Sequence, residues 1–85
     1  MAYAVEFSPG AEREFRKLAR EIQMRLRPRI DALADDPRPA GAKKLKGADD
    51  LWRIRAGDYR IVYQIRDRIL LVLVVRVAHR REVYR

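Results

Sequence analysis

The chain has 85 residues, a formal net charge of +8 at pH 7 and no cysteine, which leaves room for one small domain and excludes disulfides, thiolate nucleophiles and cysteine-ligated zinc. Its apolar content of 48% excludes a disordered segment, and its longest apolar run, Ile69 to Val75, falls far short of the roughly 20 residues that cross a bilayer. Met1 to Phe7 lacks the basic flank of a signal peptide, so a soluble, cytoplasmic protein with no membrane partner is expected.

Tyr3, Val5 and Phe7 alternate with Ala4 and Glu6, the period of a half-buried strand. Ser8-Pro9 supplies an N-cap and a proline at the first helical position, with Glu12 and Glu14 following early. Phe15, Leu18, Ile22, Leu26, Ile30 and Leu33 then recur every three or four residues as one apolar stripe. Pro28 interrupts that stripe because it lacks an N–H and crowds the preceding turn. The pattern predicts a helical hairpin over 9–19 and 21–35, the second helix bent near Pro28, ended by the two prolines of Asp36-Pro37-Arg38-Pro39.

The second half reads as sheet. Trp52 and Ile54 alternate with Arg53 and Arg55, and Ala56-Gly57-Asp58 makes a tight turn. Tyr59, Ile61, Tyr63 and Ile65 alternate with Arg60, Val62 and Gln64, and Arg66-Asp67-Arg68 makes a second turn. Ile69 to Ala78 is apolar on both faces except at Arg76, as a central strand should be. His79 to Arg85 is a polar tail that reads as a short final strand. The predicted architecture is a single α+β domain over residues 1–85: a strand, a helical hairpin, then an antiparallel meander with the helices on one face.

Charge is unevenly placed along this order. Of the 20 basic residues 16 are arginine; residues 1–42 carry a net +1 and residues 43–85 a net +7. A basic C-terminal half suggests a surface for a polyanion, and guanidinium forks suit phosphate oxygens. If the helices cover the Trp52/Ile54 face, Arg53, Arg55 and Arg60 stand together on the other face, within about 5–8 Å of one another. The competing reading is that long side chains simply fan out into water. Folding of the tail along that face would add His79, Arg80, Arg81 and Tyr84 to the patch. RNA cleavage by its own 2′-OH needs a base, an acid for the leaving 5′-oxygen and cations for the phosphate, and a tyrosine can stack on a base. Arginine, always protonated, is a poor base; an imidazole suits proton transfer better, but alternation does not set the direction of His79. Lys43, Lys44 and Lys46 suit either an RNA path or a solvated loop. Asp49, Asp50 and Asp67 read as turn residues, and neither metal-ligand spacing nor a glycine-rich phosphate loop is present, so no cofactor is expected.

The run Trp52-Arg53-Ile54-Arg55-Ala56-Gly57-Asp58-Tyr59-Arg60-Ile61-Val62-Tyr63 resembles the R-x-R-x-G-x-Y-R-x-x-Y core of the RelE/ParE toxin superfamily. Tyr3-Ala4-Val5-Glu6-Phe7-Ser8-Pro9, Asp36-Pro37, Lys44-Leu45-Lys46-Gly47 and His79-Arg80-Arg81-Glu82-Val83-Tyr84 are similar to the family as well. The resemblance implies a helical hairpin against a small antiparallel sheet and a toxin of a type II toxin–antitoxin pair. It also implies an endoribonuclease, an mRNA interferase, that cleaves mRNA in the A site of the 70S ribosome and so inhibits translation. By position it makes Arg53, Arg55, Arg60, Arg80 and Tyr84 the catalytic set, with His79 beside them. Arg60 then stabilises the phosphate, Arg80 protonates the leaving oxygen and Tyr84 orients the nucleotide, while Lys43, Lys44, Lys46 and Arg81 contact RNA. Relatives often carry lysines where Arg53 and Arg55 stand, which leaves the base unassigned. The implied partner is a small cognate antitoxin in a hetero-oligomeric complex. The alternative within the superfamily is a ParE-type inhibitor of DNA gyrase with no nuclease activity.

Overall fold

The protein is described by a computed structural model covering residues 2–47 and 50–83. Strand β1 (Ala4–Phe7) leads through Ser8 into helix α1 (Pro9–Arg16). The Ser8 hydroxyl accepts from the Ala11 N–H at 3.1 Å, satisfying one of the donors a helix start leaves over. Gln23 of helix α2 (Arg20–Asp31) reaches back to donate to the carbonyls of Leu18 (2.9 Å) and Arg16 (3.3 Å), closing the end of α1. The hairpin is therefore the predicted one with shorter helices: α1 stops at Arg16, and a 3-10 turn, Ala32–Ala34, follows α2. Helix α2 runs through Pro28. Proline costs about 3 kcal/mol inside a helix, but Leu26 and Ile30 flank it and are fully buried, each stabilising by roughly 1.5–3 kcal/mol.

Five strands form one sheet in the order β1-β5-β4-β3-β2, with β2 at Lys43–Lys44, β3 at Leu51–Ala56, β4 at Tyr59–Arg66 and β5 at Leu71–His79. Strands β3, β4 and β5 are the expected antiparallel meander. The sheet is nonetheless mixed, because β1 pairs parallel to β5, Ala4 opposite Leu71 and Phe7 opposite Val74. This makes β5 a central strand and accounts for its apolar residues on both faces. Lys43 and Lys44, which suit either an RNA path or a solvated loop, form a two-residue edge strand opposite Arg53 and Trp52. The tail departs from expectation too: β5 ends at His79 and a short helix, α3 (Arg80–Val83), follows in place of a final strand. The reason is the register. His79 already pairs with Tyr59, the first residue of β4, so no partner remains for a longer ladder, and the Arg80 N–H closes onto the Asp58 carbonyl at 2.7 Å.

The core lies between the helices and one face of the sheet. Ile54, Ile61, Tyr63, Ile65, Val72, Val74 and Val77 meet Ala11, Phe15, Leu26, Ile30 and Leu33. A register shift between Val62 and Tyr63 interrupts β4 against β5. Beside it Glu14 of α1 accepts from the Val77 N–H at 2.8 Å and meets the Arg76 guanidinium at 3.5 Å.

Tyr63 is fully buried and donates its hydroxyl to the Pro37 carbonyl at 2.7 Å, tying the proline-rich loop to the sheet. Burial pushes this phenol up to about 12. Because the folded chain disfavours the phenolate, the contribution is complete below pH 10 and is lost as the pH rises from 10 towards 12. Tyr63→Phe should lower stability by about 1–3 kcal/mol at neutral pH, the cost of a buried carbonyl without its donor. In urea titrations the gap to the wild type should narrow between those two pH values.

A polar cluster closes the opposite end of the sheet. Asp67 accepts from the Tyr3 hydroxyl at 2.6 Å and from both Arg38 amino groups at 3.3 and 2.9 Å, while Arg38 stacks over Trp52 at 5.3 Å. The Arg38 and Tyr3 hydrogen bonds hold the Asp67 carboxyl below its usual range. Its stabilisation is present above the usual carboxylate range and disappears as the pH falls through the lowered folded value. Asp67→Asn should therefore melt below the wild type at neutral pH, the difference shrinking in acid and in high salt.

Candidate active site

The site grows out of strand alternation and register. On β3 and β4 the buried residues are Ile54, Ala56, Ile61, Tyr63 and Ile65, so Arg53, Arg55 and Arg60 point away from the helices. Arg55 lies directly opposite Arg60, which places their Cβ atoms about 5 Å apart. On the far side of Arg60 stands Ala78, a side chain too small to fill the space above it. Arg55, Arg60 and Arg80 thus line one cavity of about 40 Å³ together with the Gly57-Asp58 turn and Tyr59. Gly57 takes a φ of 61° in this two-residue loop, as the first central position of a tight hairpin turn requires. Arg53 lies on the same face one step further along β3, opposite Lys43. The row Lys43, Arg53, Arg55, Arg60, Arg80 is a continuous basic strip.

Three expected members fall elsewhere. Lys44 pairs with Trp52 and so takes the other face, and Lys46 stands in the turn after β2. His79 pairs with Tyr59, on the face of Ile61 and Val77 rather than that of the arginines. Since Ala78 faces Arg60, alternation forces the next residue to the opposite side. The His79 ring packs edge-on against Tyr59, centroids 5.2 Å apart, and its Nδ1 accepts from the Arg81 N–H at 3.2 Å. It borders a neighbouring cleft of about 690 Å³ with Asp58, Arg80 and Arg81. Tyr84 lies outside the described residues.

Two contributors had no signal in the residue pattern. Arg29 of α2 donates to the Arg55 carbonyl at 3.0 Å, holding β3 where β2 has ended. Asp58 lines both the arginine cavity and the cleft beside it. Arg76, by contrast, is engaged by Glu14 and does not line the cavity. Among the described residues no group of three or more His, Cys, Asp or Glu side chains could hold a metal ion, and no helix is long and apolar enough to cross a membrane. A third concavity, about 560 Å³, lies between β1 and the helices. There Arg16 pairs with Glu12, and Arg27, paired with Asp31, stacks on Phe7.

The family model described as the ParE toxin of type II toxin–antitoxin systems matches residues 5–84. The chain belongs to the RelE/ParE toxin family. It is similar to the mRNA interferase toxin RelE of Escherichia coli K12, 36% identical over 88 residues that span 99% of this chain and 92% of the relative. It is also similar to the toxin RelG of Mycobacterium tuberculosis, 30% identical over 86 residues, 100% of this chain and 99% of that one. Among solved structures, the toxin of the intact E. coli RelBE toxin–antitoxin complex superposes with a TM-score of 0.79 at 33% identity, covering 92% of this chain and 96% of its own. Within the RelE/ParE fold the arginine strip therefore lies on the sheet face that the helical hairpin leaves uncovered.

Proposed function

We propose that this chain is an endoribonuclease toxin that cleaves mRNA on the ribosome and is held in check by a cognate antitoxin. The observation that carries the reading is the in-register Arg55–Arg60 pair sharing one cavity with Arg80, in a chain similar over nearly its whole length to an mRNA interferase. Three guanidinium groups around one small cavity match the needs of a phosphodiester in transition, whose charge grows on its oxygens. In this mechanism Arg55 and Arg60 hold the non-bridging oxygens, and Arg80 faces the leaving 5′-oxygen. Arg53 and Lys43 bind the neighbouring phosphate along the strip, with Lys44, Lys46 and Arg81 as outer contacts, and Tyr84 stacks on a base. His79 takes a positioning role, fixing the start of α3 through Arg81. An acidic antitoxin segment fits the same strip by charge, and the E. coli structure of similar fold is of a toxin with its antitoxin.

The test is primer extension on mRNA from cells briefly expressing the chain, beside the double variant Arg60→Ala/Tyr84→Phe. New 5′ ends confined to translated regions, and absent with the variant, support the reading. The matching family model carries the ParE description, and that favours a second reading, a gyrase inhibitor. Growth arrest with intact mRNA and broken DNA would establish it instead.

A further inference from the structure

The cleavage just described assigns no group to take the proton from the attacking 2′-OH. The arginines cannot, since a guanidinium stays protonated to above about pH 12. His79 Nδ1 is engaged by the Arg81 N–H, which leaves Nε2 as the protonated, donating nitrogen. Among the described residues that line the cavity with Arg55, Arg60 and Arg80, Asp58 is the one acidic residue, and Tyr59 turns its ring towards His79 on the other face. Asp58 forms no ion pair or side-chain hydrogen bond among the described residues. Its backbone is held in place, between the Gly57 turn and the 2.7 Å bond from the Arg80 N–H to its carbonyl. A carboxylate weakens a surface that only binds phosphate. A site that must also accept a proton has a use for one.

We propose that Asp58 is the general base of the reaction, an assignment that rests on the endoribonuclease reading. The 2′-OH is vicinal to the 3′-phosphate, so a phosphate seated on the three arginines brings that hydroxyl beside Asp58, which lines the same cavity. Asp58 takes the 2′-OH proton as the 2′-oxygen forms its bond to phosphorus. The bond from phosphorus to the 5′-oxygen breaks, and the 5′-oxygen takes a proton from water in the open cleft. The protonated Asp58 then neutralises the hydroxide left behind. The products are a 2′,3′-cyclic phosphate and a free 5′-OH, with no co-reactant consumed.

The experiment measures kcat and KM for cleavage of mRNA on translating ribosomes by the full chain, Asp58→Asn and Asp58→Glu. Asparagine suits the turn as well as aspartate does, so melting should be unchanged. The Asn variant should lose about 10²–10⁴-fold in kcat with KM equal or lower, because a negative charge beside the phosphate is gone. The Glu variant should regain a measurable part of the rate. A kcat for Asp58→Asn within about threefold of wild type overturns the assignment, as do equal losses in both variants accompanied by lowered melting. Intact RNA with the wild-type chain overturns the endoribonuclease reading itself.

Discussion

Arg60→Ala should reduce mRNA cleavage by about 10²–10³-fold, the usual effect of deleting one preorganised donor to a developing oxyanion. Arg60 is the arginine that pairs opposite Arg55 and shares the cavity with Arg80. Its loss therefore removes the centre of the strip rather than an end. The fold should be spared. Arg60 points away from the core, so its truncation leaves the buried face of β4 intact. Thermal melting should stay within a few degrees of wild type while cleavage, followed by single-turnover kinetics, falls. Equal activity of Arg60→Ala and wild type would remove the arginine cavity as the seat of the chemistry.

The neighbouring substitution should do the reverse. Ile61 is fully buried, opposite Ile54 on one side and Val77 on the other. Ile61→Ala removes three carbons from the middle of the core and should cost about 2–5 kcal/mol, a large part of the 5–15 kcal/mol that holds a small domain together. Calorimetry should show the melting temperature down by more than about 10 °C. Below that temperature the folded fraction should still cleave, because no cavity-lining side chain has changed. One residue apart, the two variants separate function from stability. A variant pair with the same phenotype would mean that the two faces of β4 have been assigned wrongly.

The elements and the basic face were legible because both are local. Period-two alternation in Arg53-Ile54-Arg55 and Arg60-Ile61-Val62 sets which side each residue takes, whatever the sheet pairs with. The Ser8-Pro9 start and the prolines at 37 and 39 marked the ends of the helical region from side-chain chemistry alone. The two-residue Gly57-Asp58 loop then made Arg55 and Arg60 neighbours, since a tight turn dictates its own register.

Non-local pairing decided the rest. The parallel contact of β1 with β5 joins residues some 67 positions apart, Ala4 with Leu71, and no periodicity within either strand encodes its partner. The start of β4 at Tyr59 determined where β5 must stop, and so turned the tail into helix and placed Arg80 at the cavity. The same register sent His79 to the helix-covered face, which its neighbours Val77 and Ala78, both apolar, could not reveal. The roles of Asp58, Arg29 and Arg76 likewise depend on contacts across the fold: a turn backbone held by Arg80, a β3 carbonyl capped from α2, a guanidinium engaged by Glu14. Alternation and capping act over a few residues and can be read along the chain. Which strand lies beside which depends on burying every apolar face at once, and only the assembled tertiary structure meets that condition.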